Sequence, residues 1–333
     1  MDKSKLLHRL FAMGRLEYSW LLDECSLDKR QACEIVADFS AFGIETLETP
    51  CGFVLKEGQD LSRAFIRALF TYGCKERGCD SVLGIGVGDL PIFVMDSTES
   101  TSLDARKYAE EHPEVKCALF VANGQTAGRG RLGRSFLSNE GVGLYFSLLL
   151  RGVGEASDAL SLTTYSAVSL CHALCRVADI EPKIKWVNDI YIGDKKLAGI
   201  LAEGKLSSDA SGRLDYAIIG IGVNVGRQDF GELSSIATDI ESECGYRPNR
   251  SSLAGELLLE LLANLDSAGT RGVAEEYASL SMLTNRRVKV ITPTGEYPAT
   301  VLGIAEGCTL RVRLDTGEEK NLYTGEVSLK VEG

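Results

Sequence analysis

Two apolar runs joined by a glycine turn stand at the centre of the chain: IKWVNDIYI (184–192), GD (193–194) and KKLAGILAE (195–203). β-Branched and aromatic residues favour strands, and Gly193-Asp194 is a tight-turn signal. The pattern predicts a hairpin whose first strand runs unbroken over 184–192. Alternation would then place Lys185, Val187, Asp189 and Tyr191 on one face. Ordinary solvated lysines would explain the charges, but charged and amide groups in an apolar pair equally indicate a polar site.

This hairpin lies within an alternation of strands and helices over residues 91–280, which is typical of an α/β layer. The predicted strands are Ile92–Met95, Ala118–Ala122, Gly143–Leu150, Ile184–Ile192, Leu197–Glu203 and Tyr216–Val225. The predicted helices are Ala105–Glu111, Ala156–Ala178, Ser251–Ser267 and Val273–Leu280.

Residues 281–333 are predicted to form a separate, all-β segment. Short strands are expected at Arg287–Thr292, Tyr297–Ile304, Thr309–Leu314, Lys320–Tyr323 and Val327–Val331. Turns at Pro293-Thr294-Gly295, Glu306-Gly307 and Asp315-Thr316-Gly317 separate them. Strands at this spacing predict a small SH3-like barrel.

Residues 1–60 are predicted to form a winged helix-turn-helix. Leu6, Leu7, Leu10 and Phe11 have helical spacing, a second helix follows around Tyr18–Glu24, and a third begins after Asp28 with Gln31 completing a capping box. That third helix would turn Cys33, Ile35, Val36 and Phe39 inward and stop at Gly43, before strands at Ile44–Thr49 and Phe53–Lys56. Between this unit and the α/β layer, Leu61–Tyr72 is predicted helical and Gly84–Gly88 a loop or weak strand, without assigned function.

Composition excludes several classes of protein. The net charge is −11 and the pI about 5.0, so bulk electrostatics does not attract nucleic acid. No signal peptide or membrane-length apolar run is evident, and we expect a cytoplasmic location. The 10 cysteines include no C-x-x-C pair and only 3 histidines accompany them, which predicts reduced buried thiols rather than zinc.

The most informative segment is the basic loop QTAGRGRLGR (125–134), where arginines alternate with glycines directly after a predicted strand. Glycine lets backbone N–H groups approach a ligand, and arginine binds carboxylate and phosphate as a planar fork. The loop therefore predicts an anionic ligand. Gly128-x-Gly130-x-x-Gly133 formally matches a dinucleotide fingerprint, but a strand rather than a helix follows it. A nucleic-acid-binding turn is the other alternative.

Together, four ordered motifs resemble the biotin–protein ligase family: Gly128–Arg134, Lys185–Asp189, Lys196–Leu201 and Gly220–Asn224. The resemblance covers roughly residues 92–330, and residues 1–60 extend it to the subgroup with a DNA-binding head. It implies an α+β fold with a central mixed sheet, shared with lipoate ligases and like that of class II synthetases. The domains would be 1–60, 61–280 and 281–333.

The sequence departs from the family pattern at three places. Val187 stands where the family commonly has proline, and Phe136 where it has tryptophan. The family's serine–threonine–asparagine is Ser100-Thr101-Ser102 here, with Ser97-Thr98-Glu99 as an alternative register. We prefer the first register because a helix follows it directly.

The resemblance implies an ATP-dependent ligase that forms biotinyl-5'-AMP and transfers biotin to a lysine of a carboxyl carrier domain. Catalytic roles would fall to Arg131, Lys196 and Lys185. Biotin and ATP would be bound by Ser100, Thr101, Ser102, Gln125, Gly128, Arg129, Gly130, Arg131, Phe136, Asn188, Asp189, Lys196, Gly199 and Asn224, with Mg²⁺ on Asp189.

Further partners implied by the resemblance are operator DNA and a second copy of the chain, paired through the edge of the central sheet. Lys29, Arg30 and Gln31 are the candidate DNA contacts, although residues 1–60 carry a net charge of −4. Two other functions stay open: a lipoate ligase, and a biotin-sensing repressor without catalysis. The presence of Arg129, Arg131, Lys185 and Lys196 argues against the repressor-only alternative.

Overall fold

The computed structural model describes residues 6–328 apart from 8, 11–12, 57–59, 79–80, 83–84, 153–158, 179, 210–211, 267–270 and 293–294. Phe11 therefore lies outside the described residues. Among those described, no helix is both long and apolar enough to cross a bilayer.

The N-terminal unit combines helices with a small sheet. Leu6, Leu7 and Leu10 are buried in its core. The unit contains β1 (Arg15–Glu17), α1 (Tyr18–Cys25), α2 (Lys29–Ala41), β2 (Thr46–Thr49) and β3 (Gly52–Leu55), with strand order β1-β3-β2. The predicted capping box is confirmed, since Asp28 accepts from the Gln31 backbone and the Gln31 side chain accepts in return. The sequence patterns did not predict β1, whose three residues are too few to show alternation.

Helix α3 (Arg63–Glu76) joins this unit to the rest of the chain. Ala68, Leu69 and Tyr72 belong to the N-terminal core, whereas Ile66 and Phe70 on the same helix belong to the main core. A short hairpin of β4 (Ser81–Val82) and β5 (Ile85–Gly86) follows, in the region predicted as a loop or weak strand.

A seven-stranded sheet of order β6-β7-β8-β12-β11-β10-β9 forms the centre of the molecule. Among the described strands of this sheet, β6 and β7 form the one parallel pair. The strands are β6 (Ile92–Met95), β7 (Cys117–Ala122), β8 (Gly143–Leu150), β9 (Lys183–Lys185), β10 (Asp189–Ile192), β11 (Lys195–Leu206) and β12 (Leu214–Asn224). The helices are α4 (Thr101–Glu111), α5 (Ala159–Ala178), α6 (Ile240–Cys244), α7 (Arg250–Asp266) and α8 (Arg271–Leu280).

The two faces of the sheet bury different side chains, as the two-residue period of a strand requires. On β7, Ala118 and Phe120 pack with α4, while Leu119 and Val121 enter the main core with α5, α7 and α8. The predicted alternation of strands and helices is therefore confirmed as a mixed sheet with helices on both faces.

The predicted unbroken strand over 184–192 is wrong. Lys183–Lys185 and Asp189–Ile192 are separate antiparallel strands, with Lys185 opposite Asp189. The intervening residues 186–188 are held by the rest of the chain: Trp186 Nε1 donates to the carbonyl of Cys308 at 3.0 Å, and Tyr277 Oη donates to that of Val187 at 3.0 Å. Of the four side chains predicted on one face, Lys185, Asp189 and Tyr191 still lie together, with Lys185 Nζ 3.4 Å from Tyr191 Oη, whereas Val187 falls in the break and is buried in the main core. The turn at Gly193 is confirmed.

The C-terminal segment is an antiparallel sheet of order β16-β15-β14-β13-β17. Its strands are β13 (Arg287–Thr292), β14 (Gly295–Ile304), β15 (Leu310–Leu314), β16 (Glu319–Leu322) and β17 (Glu326–Ser328). Their inward side chains, among them Val288, Val290 and Val312, are continuous with the main core. This continuity seats the sheet against the β9–β10 turn.

Candidate active site

A cleft with about 500 Å³ of empty space, part of it open to solvent, lies where β8, β11 and β12 meet the basic loop. Its lining consists of Ser100, Thr101, Ser102, Gln125, Arg129, Gly130, Arg131, Phe136, Phe146, Ser147, Asn188, Lys196, Gly199, Ile200, Leu201, Gly220, Ile221 and Gly222. Three positively charged side chains thus share one cleft in an acidic protein.

Glycines make the floor of the cleft. A Cβ on Gly222 would lie 2.5 Å from Cε1 of Phe136, so the Phe136 ring rests against bare backbone. A Cβ on Gly220 would lie 2.7 Å from Oγ of Ser102. Both contacts are closer than real Cβ atoms allow. The glycines of the Gly220–Asn224 motif therefore leave room for an aromatic ring and a hydroxyl wall.

Hydroxyl and amide groups line one wall. Gln125 Oε1 accepts from the backbone N of Thr101 at 2.9 Å and from its Oγ1 at 3.1 Å. Ser147 Oγ lies 2.7 Å from Thr101 Oγ1 and 3.0 Å from Ser102 Oγ. This network favours the Ser100-Thr101-Ser102 register, because Thr98 instead donates to Asp104 at 2.6 Å and lies outside the lining.

The basic loop folds back on itself over the cleft. The backbone N of Gly130 donates to the carbonyl of Arg134 at 2.7 Å, and that of Phe136 donates to the carbonyl of Gly128 at 3.0 Å. A Cβ on Gly128 would lie 2.2 Å from Ser138 Oγ, so this glycine serves the folding of its own loop. Arg131 reaches Asn188 Oδ1 at 3.1 Å from the loop. The loop thus delivers a guanidinium to the lysine hairpin.

Lys196 pairs with Asp189 across the hairpin, with Nζ and Oδ1 2.7 Å apart. Gly199 makes the space for this pair, because its Cβ would lie 3.2 Å from the Lys196 Nζ. Burial lowers the pKa of the neighbouring Lys185 ammonium, against the opposing effect of Asp189. Asn188 is fixed by its side-chain donation to the Ile200 carbonyl at 2.9 Å. The polar interpretation of the hairpin is thereby supported over that of plain solvated lysines.

The C-terminal sheet also touches the loop. Arg134 makes a two-pronged contact with Glu326, at 2.7 and 2.8 Å, and Arg131 Nη2 donates to the carbonyl of Gly325 at 3.4 Å. A planar fork on a carboxylate fixes direction as well as distance. The start of β17 therefore holds the far end of the basic loop.

Four predicted site residues lie outside the lining. Asp189 and Lys185 sit just behind it, beside Lys196, and Gly128 packs inside its own loop. Asn224 is buried elsewhere, where it donates to the Thr238 carbonyl at 2.9 Å and accepts from Gln228 at 3.2 Å. The structure does not bring Asn224 to the cleft.

Several lining residues were not predicted from the sequence, of which Ser147 is the most telling. It is the one small polar side chain within the apolar run of β8, and that break in the pattern was a usable signal. The others are Phe146, Ile200, Leu201, Gly220, Ile221 and Gly222. The apolar ones are indistinguishable from core residues in a sequence.

No set of three or more His, Cys, Asp or Glu side chains in the described residues could hold a metal ion. Near the cleft, the carboxylate of Asp189 is already paired with Lys196. Mg²⁺ in nucleotide-binding sites is typically held by substrate phosphates together with one or two protein carboxylates. The described side chains near the cleft therefore suit an ion that is bound mainly by the phosphates of a substrate.

The cleft therefore suits an anionic substrate that also has an apolar part.

Comparison with known proteins shows the family to which the chain belongs. Residues 94–224 match the model of the biotin/lipoate A/B protein ligase family, and residues 284–330 that of the biotin protein ligase C-terminal domain. The chain is 34% identical over 244 residues to the bifunctional ligase/repressor BirA of Bacillus subtilis, covering 70% of this chain and 72% of that protein. This chain belongs to the biotin–protein ligase family.

Other relatives agree with this membership. The biotin–[acetyl-CoA-carboxylase] ligase of Mycobacterium tuberculosis is 32% identical over 232 residues, covering 68% of this chain and 83% of that protein. Among solved structures, the biotin protein ligase of Aquifex aeolicus in complex with biotin and ATP superposes with a TM-score of 0.61 at 29% identity. The superposition covers 72% of this chain and 97% of that one.

The candidate DNA contacts on α2 are engaged within the molecule. Lys29 Nζ pairs with Glu48 at 2.9 Å, and Arg30 Nε pairs with Glu34 at 3.1 Å. The Gln31 side chain closes the helix cap. Exposed pairs of this kind contribute little stability, so a phosphate could displace them, but it would do so against acidic neighbours.

Proposed function

We propose that this chain is a biotin–protein ligase that forms biotinyl-5'-AMP from biotin and ATP and then biotinylates an acceptor lysine. The observation that carries the proposal is the cleft itself. An apolar floor and a hydroxyl wall lie beneath Arg129, Arg131 and Lys196, which suits a ligand with a neutral body and a carboxylate. Family membership supplies the identity of that ligand.

The first half-reaction joins two anions. A biotin carboxylate oxygen attacks the α-phosphorus of ATP, a new P–O bond forms, and the bond to the β-phosphate oxygen breaks to release pyrophosphate. Because both partners are negative, the enzyme's main contribution is neutralising charge and holding the reacting atoms in line. We assign that role to Arg131 and Lys196, which both line the cleft, with Lys185 adding positive potential behind them.

The remaining lining residues bind the neutral parts of the substrates. Phe136, flat against Gly222, offers a stacking face for adenine. Ser100, Thr101, Ser102 and Gln125 offer donors and acceptors to biotin's polar groups. In the second half-reaction the acceptor lysine's amine attacks the acyl carbon, forms the C–N bond, and loses a proton as AMP leaves.

Mg²⁺ belongs to this proposal as an ion carried by the triphosphate. It would neutralise phosphate charge, and Asp189, which pairs with Lys196 behind the cleft, is the carboxylate that we assign to it. Asn188, fixed on both its backbone carbonyl and its side chain, would help position the nucleotide.

Pyrophosphate release tests the substrate assignment. We expect release that requires both ATP and biotin, with octanoate and lipoate as poor substitutes, because the hydroxyl wall is built for a polar head group rather than a plain acyl chain. Transfer to a biotin acceptor domain is then followed with labelled biotin. Equal turnover of lipoate and biotin would contradict the assignment and favour a lipoate ligase. Absence of any release would favour a repressor without catalysis.

Ligand-dependent ordering of the basic loop is a second expected result. Amides in residues 126–135 should exchange hydrogen rapidly without ligand, because few buried contacts hold an exposed loop, and biotin plus ATP should slow them. Glu326→Gln should speed exchange in the free protein, since it removes the charge that holds Arg134. Glu319→Gln, on the same sheet but pairing with Arg311 and Arg313, is the matched control. Exchange that ligand leaves unchanged would contradict the proposal.

Regulated DNA binding is the second candidate function, favoured by the helices and three-stranded sheet of residues 1–60, which we interpret as a winged helix. The net negative charge of this unit opposes strong binding to DNA. Each phosphate contact must come from Lys29, Arg30 or one of a few other basic residues. We propose weak, dimer-dependent operator binding. A mobility-shift assay on the organism's own biotin-gene promoters, at low salt with biotin and ATP, should show a specific shift. If residues 1–60 instead contact another protein, no specific shift should appear.

The same proposal includes a homodimer through the edge of the central sheet. Strand β10 covers only the first part of β11 and Asn188 binds the backbone of Ile200, so residues 201–206 of β11 have no strand partner on that side among the described residues. Unpaired strand edges are templates for pairing. Sedimentation with saturating biotin and ATP should show dimers, and monomer alone at high concentration would contradict this.

We also propose that the chain divides into three domains, with boundaries at 60/61 and 280/281, and that the C-terminal domain is an SH3-like barrel.

A further inference from the structure

A buried arginine connects the segment before α3 to the strands that carry the cleft. Asp60, in that segment, accepts from the backbone N and Nε of Arg250 at 3.1 and 2.7 Å. It also accepts from Arg247 at 2.6 Å, and its carbonyl accepts from the backbone N of Ser251 at 3.0 Å. Asp60 thus binds the first two residues of α7, Arg250 and Ser251.

The other end of the Arg250 guanidinium faces the central sheet. Nη1 donates to the carbonyl of Gly143, the first residue of β8, at 3.0 Å. Nη2 donates to Oδ1 of Asn123, directly after β7, at 2.8 Å. Arg250 is only 4% exposed. A buried charge is costly unless it is fully paired, so its partners are held in fixed positions relative to it.

Asn123 lies two residues before Gln125, which is the central acceptor of the hydroxyl wall. Backbone hydrogen bonds fix the chain between these two residues. The carbonyl of Gly124 accepts from the backbone N of Thr98 at 3.2 Å, and the backbone N of Gln125 donates to the carbonyl of Ser138 at 3.1 Å. A shift of Asn123 would therefore move Gln125, and with it the wall formed by Thr101.

Helix α7 is in turn packed tightly on α3. A Cβ on Gly73 of α3 would lie 2.4 Å from Leu259, and one on Gly255 of α7 would lie 2.5 Å from Leu69. Glycines at such a contact allow the helix backbones to approach closely. Because Leu69 also belongs to the core of residues 1–60, that core, α3 and α7 form a continuous packed path to Arg250.

We propose that Arg250, held by Asp60, is a positioning residue for biotin binding and makes the N-terminal unit a structural support of the biotin pocket. Arg250 does not line the cleft, so it acts through Asn123 and Gly143. The inference rests on the proposed function, because it assumes that biotin occupies the cleft.

The test is a double-mutant cycle on biotin affinity, measured by titration calorimetry on the full chain. Arg250→Ala should raise the Kd for biotin about tenfold, within the range by which residues remote from a ligand modulate its affinity. Asn123→Ala should raise it similarly, and the double variant no further, because both changes break one chain of contacts. Asp60→Asn, which keeps the shape and loses the charge, should raise it less.

Arg151→Ala is the matched control. Arg151 is another largely buried arginine; it follows the far end of β8 and pairs with Asp215 at 2.8 Å, outside the cleft and outside the contact between α3 and α7. This variant should lower the Tm while leaving the Kd for biotin unchanged, which separates positioning from loss of stability. If Arg250→Ala does not fold, Asn123→Ala and Asp60→Asn carry the test.

Two outcomes overturn the inference. A Kd unchanged in Arg250→Ala would do so, as would an additive double variant, since then Arg250 and Asn123 act independently. Failure of the unaltered chain to bind biotin is a different result, because it contradicts the proposed function and removes this inference with it.

Discussion

Arg131→Ala should lower the rate of biotinyl-adenylate formation by about 10²–10³-fold, the usual loss when one donor to a developing charge is removed. Arg131 extends over the cleft toward two neutral acceptors, Asn188 Oδ1 and the carbonyl of Gly325. Within the described residues no carboxylate pairs with it, so its charge is free to meet an anionic substrate. Steady-state pyrophosphate release gives the rate.

Two variants sharpen this prediction. Arg131→Lys should recover only part of the rate, because an ammonium keeps the charge and loses the planar fork. Arg313→Ala, which removes an exposed arginine paired with Glu319 on the C-terminal sheet, should leave the rate near that of the unaltered chain. A near-normal rate in Arg131→Ala would remove Arg131 from the mechanism.

Lys196→Met should have an effect of similar size, about 10²–10³-fold on kcat, because the hairpin lysine that lines the cleft with Arg131 is lost. Lys195→Met is the matched control: the adjacent side chain is exposed and outside the cleft. The Lys196→Met variant leaves Asp189 unpaired, so its loss of rate could reflect a damaged hairpin. The double variant Lys196→Met/Asp189→Asn removes that carboxylate charge and should stay slow. Recovery of the rate in the double variant would show that Lys196 serves only to balance Asp189.

Much of the fold follows from patterns local in the sequence. The bounds of β6 and β8 were predicted to the residue, and the Asp28 cap with Gln31 needed no distant partner. The same holds for the basic loop, since Gly and Arg alternating after a strand predict an anion site whatever surrounds them. Family motifs then extended these local patterns to a predicted function.

The lysine hairpin has a feature that local sequence patterns did not predict, the break in its first strand. Residues 184–192 have the composition of one strand, yet Trp186 and Val187 bond to Cys308 and Tyr277, which are 122 and 90 residues away along the chain. Those contacts divide the strand and turn Lys185 toward Asp189. Alternation along a strand carries no information about partners so distant.

The sequence by itself determined the strand–helix alternation, the caps and turns, and the chemical class of ligand, because each depends on neighbouring residues and on residue type. Only the tertiary structure decided which polar groups meet. It brought Ser147 and Gln125 to one wall, took Asn224 away from the cleft, and placed the buried Arg250 between Asp60 and Asn123. The physical reason is that hydrogen bonds and close packing act over a few ångströms in space, whatever the separation along the chain.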